Sequence, residues 1–95
     1  MKFERHCEES ERLFGKPFSE VHLWLDELMW KGLGAHHRRK RHHEAGIHQV
    51  VKLFGEEVGQ AARQHIISDL KEEGWTEGDD PFPKDEEHYV KMGLF

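Results

Sequence analysis

The sequence predicts an all-α protein in which four main helices and a short C-terminal helix form a compact bundle. Apolar residues recur at helical spacing in four successive segments, and glycine or proline residues separate these segments. Hydrophobic residues make up 36% of the 95-residue chain and charged residues 35%, as is typical of a helical domain with a hydrated surface. A chain of this length can build one modest core, so we expect a single domain over residues 1–95.

The first two helices are expected over residues 2–14 and 19–31, with Gly15 and Pro17 in the turn between them. Apolar residues define one face of each helix, and acidic residues cover much of the opposite face of the first. His6 lies near the edge of the apolar face of the first helix. It is therefore expected to be partly buried.

The third helix is expected to run without a break over residues 35–54 and to end at Gly55, a good C-terminal cap. Val50 and Phe54 belong to its buried face. Projected backwards along a continuous helix, the same face passes through His43. The side chain of His43 is therefore expected to point into the core.

Residues 36–43 form a basic segment that contains no acidic residue. On a continuous helix, His37 and His42 lie on the flanks of the buried face, while Arg38 and Arg41 point outward. The segment carries a formal charge of +4 and the remaining chain −9, which together give the total of −5. An acidic body with one basic island argues against general affinity for nucleic acids, which usually requires a broad basic face.

The fourth helix is expected over residues 57–73, and a short fifth helix over residues 85–92. His65 and Asp69 lie near the centre of the apolar stripe of the fourth helix. An ionised aspartate at such a position is costly unless a positive or hydrogen-bonding group meets it. This helix therefore predicts a polar site inside the bundle.

The single cysteine, Cys7, excludes both an intramolecular disulfide and a thiolate-rich zinc site. The charged N-terminal segment lacks the apolar run of a secretory leader, and the apolar runs are shorter than the ~20 residues of a membrane span. We therefore expect a cytoplasmic protein without membrane association. It is expected to be a monomer or a small homo-oligomer.

Two pairs with the same spacing predict a metal site between helices. His22 and Asp26 are four residues apart, as are His65 and Asp69, so each pair can present an imidazole and a carboxylate to one point. The predicted ligands are His22, Asp26, His43, His65 and Asp69, with His6, His37 and His42 as possible further site residues. Imidazole and carboxylate ligands suit Zn, Fe, Mn, Co or Ni. A buried histidine–aspartate hydrogen-bond network without a metal explains the spacing equally well.

Several motifs carry a family resemblance that spans most of the chain. They are His6 with Phe14-Gly15, His22-Leu23-Trp24-Leu25-Asp26, His37-Arg38, Arg41-His42-His43, Gly46-Ile47, Gln64-His65, Asp69-Leu70 and Phe82-Pro83. In these motifs the chain resembles a family of small, histidine-rich prokaryotic proteins classed as a domain of unknown function. It differs from that family at Arg63, where glutamate is usual, and in the extra Lys-Glu-Glu before Gly74. The resemblance implies a shared helical fold and a shared set of histidines and aspartates, but no activity.

Two functional hypotheses follow from these patterns. In the first, the buried histidines and aspartates bind a divalent metal, and the protein is a metal-dependent hydrolase whose Arg38 or Arg41 contacts a phosphate group of the substrate. In the second, the protein is a non-catalytic module whose basic segment, residues 36–43, binds an acidic protein or a nucleic acid. The histidines and aspartates would then have only a structural role.

Overall fold

A computed structural model of the chain describes residues 2–78 and 80–93, and within these residues the regular structure is entirely helical. The α-helices are α1 (Phe3–Phe14), α2 (Ser19–Leu28), α3 (Arg38–Arg41), α4 (Glu44–Phe54), α5 (Gly59–Glu72) and α6 (Glu86–Lys91). Four of them have ten residues or more. The predicted fold class, four main helices with a short C-terminal helix, is confirmed.

The hydrophobic core lies where α2, α4 and α5 meet. Val21 and Leu25 of α2 and Val50 of α4 are fully buried there, against Ala62 and Ile66 of α5. The small side chain of Ala62 lets the neighbouring backbone approach α5 closely. Because α2 and α5 pack directly, polar residues on their inward faces are brought within contact distance.

The third predicted helix is broken, so its prediction as one continuous helix over residues 35–54 was wrong. A 3₁₀ turn, Gly34–His37, leads into the single turn of α3, and the backbone leaves helical geometry at His42 (φ −87°, ψ 60°) and His43 (φ −161°, ψ 177°). A new helix, α4, starts at Glu44. The histidine that faces the core therefore cannot be found by projecting α4 backwards.

Gly46 explains why the chain breaks at this point. A Cβ atom on Gly46 would lie 1.8 Å from the carbonyl oxygen of Arg41, so any larger residue would collide with the backbone of α3. Only glycine allows α3 to fold back this closely on the first turn of α4. His43 caps that turn, because its Nδ1 accepts a hydrogen bond from the backbone N–H of Gly46.

The C-terminal segment also contacts the start of α4, where the chain turns after α3. The backbone N–H groups of Glu44 and Ala45 donate to the carbonyl oxygens of Pro83 and Lys84, at 3.0 Å each. Tyr89 of α6 is buried at 1% exposure. These contacts hold the start of α4 in place. Within residues 2–78 and 80–93, no helix combines the length and the apolar character that crossing a membrane requires.

Candidate metal centre

Five histidines and two aspartates meet between α1, α2, α5 and the segment around α3. Each is at most 7% exposed, which makes the cluster a buried one. Its members are His6, His22, Asp26, His37, His42, His65 and Asp69. We call these seven residues the His/Asp cluster.

His65 lies at the centre of the His/Asp cluster. Its Nε2 is 3.2 Å from Oδ1 of Asp26 and 3.3 Å from Oδ2 of Asp69. Its Nδ1 is 2.8 Å from Nδ1 of His22. The ring of His6 stacks on the ring of His65, with the centroids 3.6 Å apart and the planes 14° apart. His65 thus touches both carboxylates and two other imidazoles.

Further imidazoles surround the two carboxylates. Asp26 Oδ1 lies 3.0 Å from Nε2 of His37 and 3.4 Å from Nε2 of His42. Asp69 Oδ2 lies 3.6 Å from Nδ1 of His42, and Asp69 Oδ1 lies 3.2 Å from Nε2 of His6. Neither nitrogen of His6 makes a well-oriented hydrogen bond to any residue that the structure describes.

The His/Asp cluster keeps both aspartates ionised. Burial alone would raise the pKa of Asp26, but its contacts with the imidazoles of His37, His42 and His65 outweigh burial and hold that pKa far below its usual range. Burial also acts against ionisation of Asp69, and its contacts with His6 and His65 likewise hold its pKa far below the usual range. Two negative charges therefore lie inside the bundle at neutral pH.

Most of the histidines remain neutral because they are buried. Burial, together with the charge of neighbouring His65, lowers the pKa of His22 to about 3. Burial lowers the pKa of His42 to about 4, although Asp26 opposes that shift. The pKa of His6 is lowered for the same reason. The pKa of His65 is shifted in the opposite direction, since its contacts with Asp26 and Asp69 outweigh burial and raise it.

A second set of contacts orients the rings, and sequence reasoning assigned no role to the groups that make it. The carbonyl oxygen of Gly34 lies 2.6 Å from Nδ1 of His37, and that of Leu25 lies 3.2 Å from Nε2 of His42. The hydroxyl of Ser10 lies 2.7 Å from Nε2 of His22. Ser10 carries a sequence signal, because it lies one turn beyond His6 on the inward face of α1. The backbone carbonyl groups of Gly34 and Leu25 leave no such signal in the sequence.

Four donor groups of the His/Asp cluster match the spacing of a metal site. Ligand atoms of Asp26, His42, His65 and Asp69 all lie within 4.8 Å of one another. A transition-metal ion about 2.1 Å from each ligand requires ligand atoms about 3.0 Å apart in octahedral geometry and about 3.4 Å apart in tetrahedral geometry. The contacts of 3.2–3.6 Å within this group agree with that requirement. His6, His22 and His65 form a second group of the same kind.

The structure brings together all of the proposed site residues except His43. Its Nδ1 accepts the hydrogen bond from Gly46 N, and its Nε2 lies 3.0 Å from the carbonyl oxygen of Arg39. A single neutral tautomer satisfies both contacts, so no nitrogen of His43 is left for the cluster. Because the helix breaks at this point, His42 takes the inward position that sequence analysis gave to its neighbour.

Arg38 and Arg41 do not point outward as a continuous helix predicted. Arg38 forms an ion pair with Glu73 and lies 3.7 Å from Asp69 Oδ1. Arg41 donates to the carbonyl oxygen of Trp24 at 2.6 Å, and its guanidinium group lies over the Trp24 ring. Glu27 pairs with the same guanidinium group at 2.8 Å.

The charge of the basic segment is largely balanced within the fold. Besides Arg38 and Arg41, Lys40 forms an ion pair with Glu86 at 2.8 Å. The Arg39 guanidinium group lies 2.7 Å from Nδ1 of His36. The segment is therefore not a uniformly solvated basic patch.

A groove connects the His/Asp cluster with the surface. It has a volume of about 800 Å³, and Asp26, His37 and Asp69 lie along it. Arg38 also lines it, together with residues of the first turn of α1 and of the turn after α2. The two carboxylates are thus buried within the bundle and still contribute to the lining of the groove.

Comparison with known families identifies the family to which the chain belongs. The family model described as "Domain of unknown function (DUF6915)" matches residues 1–79. The chain belongs to the DUF6915 family. All seven residues of the His/Asp cluster lie within the part that DUF6915 covers. The resemblance to a family of unknown function is confirmed. No curated protein and no solved structure matches the chain. The description of DUF6915 names no activity.

Proposed function

We propose that this DUF6915 protein binds a divalent transition-metal ion through Asp26, His42, His65 and Asp69. His37, whose Nε2 lies 3.0 Å from Asp26 Oδ1, extends this donor set toward the groove. We further propose that the centre hydrolyses a phosphate ester that enters through the groove. The observation that carries the proposal is the orientation of two imidazole rings relative to the carboxylates.

The first of these rings is His37. The carbonyl oxygen of Gly34, 2.6 Å from Nδ1, can only accept, so Nδ1 carries the proton. In a neutral ring, Nε2 then directs its lone pair at Oδ1 of Asp26, 3.0 Å away. Two lone pairs at this distance repel each other. A cation between the two atoms, either a proton or a metal ion, removes the repulsion.

The second ring, His42, has the same arrangement. The carbonyl oxygen of Leu25 requires a proton on Nε2, which leaves the lone pair of Nδ1 facing Asp69 Oδ2 at 3.6 Å. That Nδ1 atom is buried and has no hydrogen-bond partner among the described residues. Because burial lowers the pKa of His42 to about 4, the ring does not take up a second proton on Nδ1 at neutral pH. A divalent ion held by Asp26, His42, His65 and Asp69 would accept the lone pair of His42 Nδ1 and balance the charge of the two aspartates.

Catalysis also requires that a substrate reach the metal ion, and the groove would provide such a path. A divalent ion held by these residues would polarise a phosphoryl oxygen and lower the pKa of bound water. In hydrolysis, water adds to phosphorus, the ester P–O bond breaks, and the departing alcohol receives the proton that the water loses. Arg38 lines the groove next to Asp69, where a guanidinium group can hold a phosphoryl oxygen. Arg41 is held by Glu27 and does not line the groove.

The test of metal binding is elemental analysis of protein purified without an affinity tag, combined with melts in metal or in EDTA. We expect about one ion per chain, and at a metal concentration of 100 times Kd a stabilisation of roughly 2.7 kcal/mol. For a chain of this size, that corresponds to a rise in Tm of roughly 10 °C or more. Asp69→Asn should abolish stoichiometric binding, whereas His48→Ala, at an exposed histidine, should not change it.

The outcome separates the two parts of the proposal. Absence of metal, with melts that do not respond to EDTA, would leave the hydrogen-bond network as the explanation of the His/Asp cluster. Metal binding without hydrolysis of p-nitrophenyl phosphate or of other phosphate esters would refute the catalytic part alone. Because Lys40 and Arg41 form ion pairs within the fold and do not line the groove, we favour the metal centre over a module that binds an acidic partner.

A further inference from the structure

We propose that the groove selects a phosphomonoester that carries a flat aromatic ring, as a nucleoside monophosphate does. The phosphate would lie at the metal centre and the ring on the side chain of Trp30. This inference rests on the proposed metal centre and adds the class of ligand. Three features of the groove support it.

The first feature is the position of an exposed aromatic side chain. Trp30 follows Asp26 by four residues and Met29 follows it by three, so all three lie on one side of the chain as it leaves α2. All three also line the groove. Trp30 is 60% exposed and Met29 38%, although both are large and apolar. They provide an exposed apolar surface about one helical turn along the chain from Asp26.

The second feature is the balance of charge along the groove. Its cationic residues are Lys2, Arg5 and Arg38, and its acidic residues are Glu4, Asp26, Asp69 and Glu72. With His37 neutral, the lining has a net charge of −1, which a divalent ion changes to +1. The groove therefore attracts a phosphate group only when the metal is bound. Lys2 and Arg5 form no ion pair within the part of the chain that the structure describes.

The third feature is the size of the groove. Its volume of about 800 Å³ lies within the range of roughly 300–1,000 Å³ that is typical of small-molecule sites. The lining combines two kinds of chemistry: the carboxylates of Asp26 and Asp69 with the imidazole of His37, and the apolar side chains of Met29 and Trp30. A ribose would link a 5′-phosphate at the first set to a base at the second. Every nucleobase can stack on tryptophan, so we expect the groove to select a flat ring rather than one particular base.

Calorimetric titration of the zinc-loaded protein with three probes tests the inference. The probes are AMP, ribose 5-phosphate, which lacks the ring, and adenosine, which lacks the phosphate. We expect AMP to bind roughly tenfold more tightly than ribose 5-phosphate, as one stacked base would predict. Phosphate release is followed in parallel samples, so that heat from hydrolysis is recognised.

The decisive variant is Trp30→Ala. It should weaken AMP binding to the level of ribose 5-phosphate and leave the affinity for ribose 5-phosphate unchanged. Leu53→Ala is the matched control, because Leu53 is also 60% exposed and lies outside the groove. It should leave the affinity for both probes unchanged.

Two results would overturn the inference. One is equal affinity of the wild type for AMP and ribose 5-phosphate, and the other is a Trp30→Ala variant that still prefers AMP. Metal content is measured in the same samples. If zinc binds stoichiometrically and the ring has no effect, only the ligand class is wrong. If zinc does not bind, both this inference and the proposed metal centre fail.

Discussion

The Nδ1 atoms of His22 and His65 lie 2.8 Å apart, on helices α2 and α5. At this distance one atom must donate a proton and the other must accept it. If His22 donates, then Nε2 of His65 carries a proton that it can donate to Asp26 or Asp69. If His65 donates, its Nε2 lone pair faces the carboxylates and is available to a metal ion. Ser10 permits both states, since its hydroxyl can donate to His22 Nε2 or accept from it.

The shared proton should therefore change sides when metal binds. We expect Nε2–H on His65 in the metal-free protein and Nδ1–H in the zinc-loaded protein. Long-range ¹H–¹⁵N NMR spectra, which distinguish the two tautomers of histidine, report this directly. His48, which is exposed, should keep its tautomer and serves as the internal control. A His65 ring that is unchanged by zinc would place the metal elsewhere.

His22 should act on the metal through His65. His22→Gln removes the imidazole that orients His65, and loss of such a partner typically costs 10–100-fold in metal affinity. We expect a loss of that size, with about one ion per chain still bound at saturating zinc. The measurement is competition with a chelating dye, with His48→Gln as the control. Complete loss of binding would instead make His22 a direct ligand, as its spacing from Asp26 first suggested.

Substitutions of the adjacent residues His42 and His43 should affect different properties, metal binding for His42 and stability for His43. His42→Ala removes a ligand and should abolish stoichiometric metal binding. His43→Ala removes the cap of α4 and should lower the free energy of unfolding by roughly 0.5–2 kcal/mol, while metal content stays the same. Elemental analysis and urea denaturation of both variants test this pair of expectations. The reverse pattern would restore His43 as the ligand.

Gly46 should tolerate no side chain. Gly46→Ala places a Cβ atom 1.8 Å from the carbonyl oxygen of Arg41, and α3 must move to relieve the collision. We expect a loss of about 2 kcal/mol or more in the free energy of unfolding, together with weaker metal binding, because His42 follows α3 directly. Gly59→Ala is the control. Its Cβ would lie an ordinary 3.4 Å from Val51, and it should stabilise the protein slightly.

Metal-free protein should lose stability as the pH falls below about 6.5. The pKa of His22 is about 3 and that of His42 about 4 in the folded state, against 6.5 when unfolded. Between these values the unfolded chain takes up protons that the folded chain does not, which favours unfolding. The raised pKa of His65 acts in the opposite sense: its contribution is present below pH 6.5 and is lost as the pH rises.

The lowered pKa values of His6 and His43 act in the same sense as those of His22 and His42, so four groups act against His65. We therefore expect the free energy of unfolding to be at least roughly 2 kcal/mol lower at pH 5 than at pH 7, at ~1.4 kcal/mol per unit for each group. Urea denaturation in EDTA at both pH values measures the difference. In His22→Gln the dependence on pH should be less steep. Greater stability at pH 5 than at pH 7 would mean that the buried rings are already protonated.

Much of the His/Asp cluster could be predicted from local periodicity. His65 and Asp69 occupy the inward face of one unbroken helix, and on α2 His22 and Asp26 lie one turn apart and are both buried. Helical geometry determines which residues share a face over such a stretch. It contains no information on how far apart two helices pack. The contact between Asp26 and His65, 39 residues apart, depends on the packing of α2 against α5.

By itself, the sequence determined that the chain is helical, that His65 and Asp69 point inward, and that His22 and Asp26 lie one turn apart on the flank of an apolar stripe, because a helix repeats regularly along the chain. Only the tertiary structure decided that His42 enters the cluster, that His43 caps α4 and that Arg38 lies against Asp69. The reason is that α4 begins anew after α3, and the contact between Gly46 and the Arg41 carbonyl sets the angle between them. A break of this kind depends on one close approach between backbones, which periodicity along the sequence does not record.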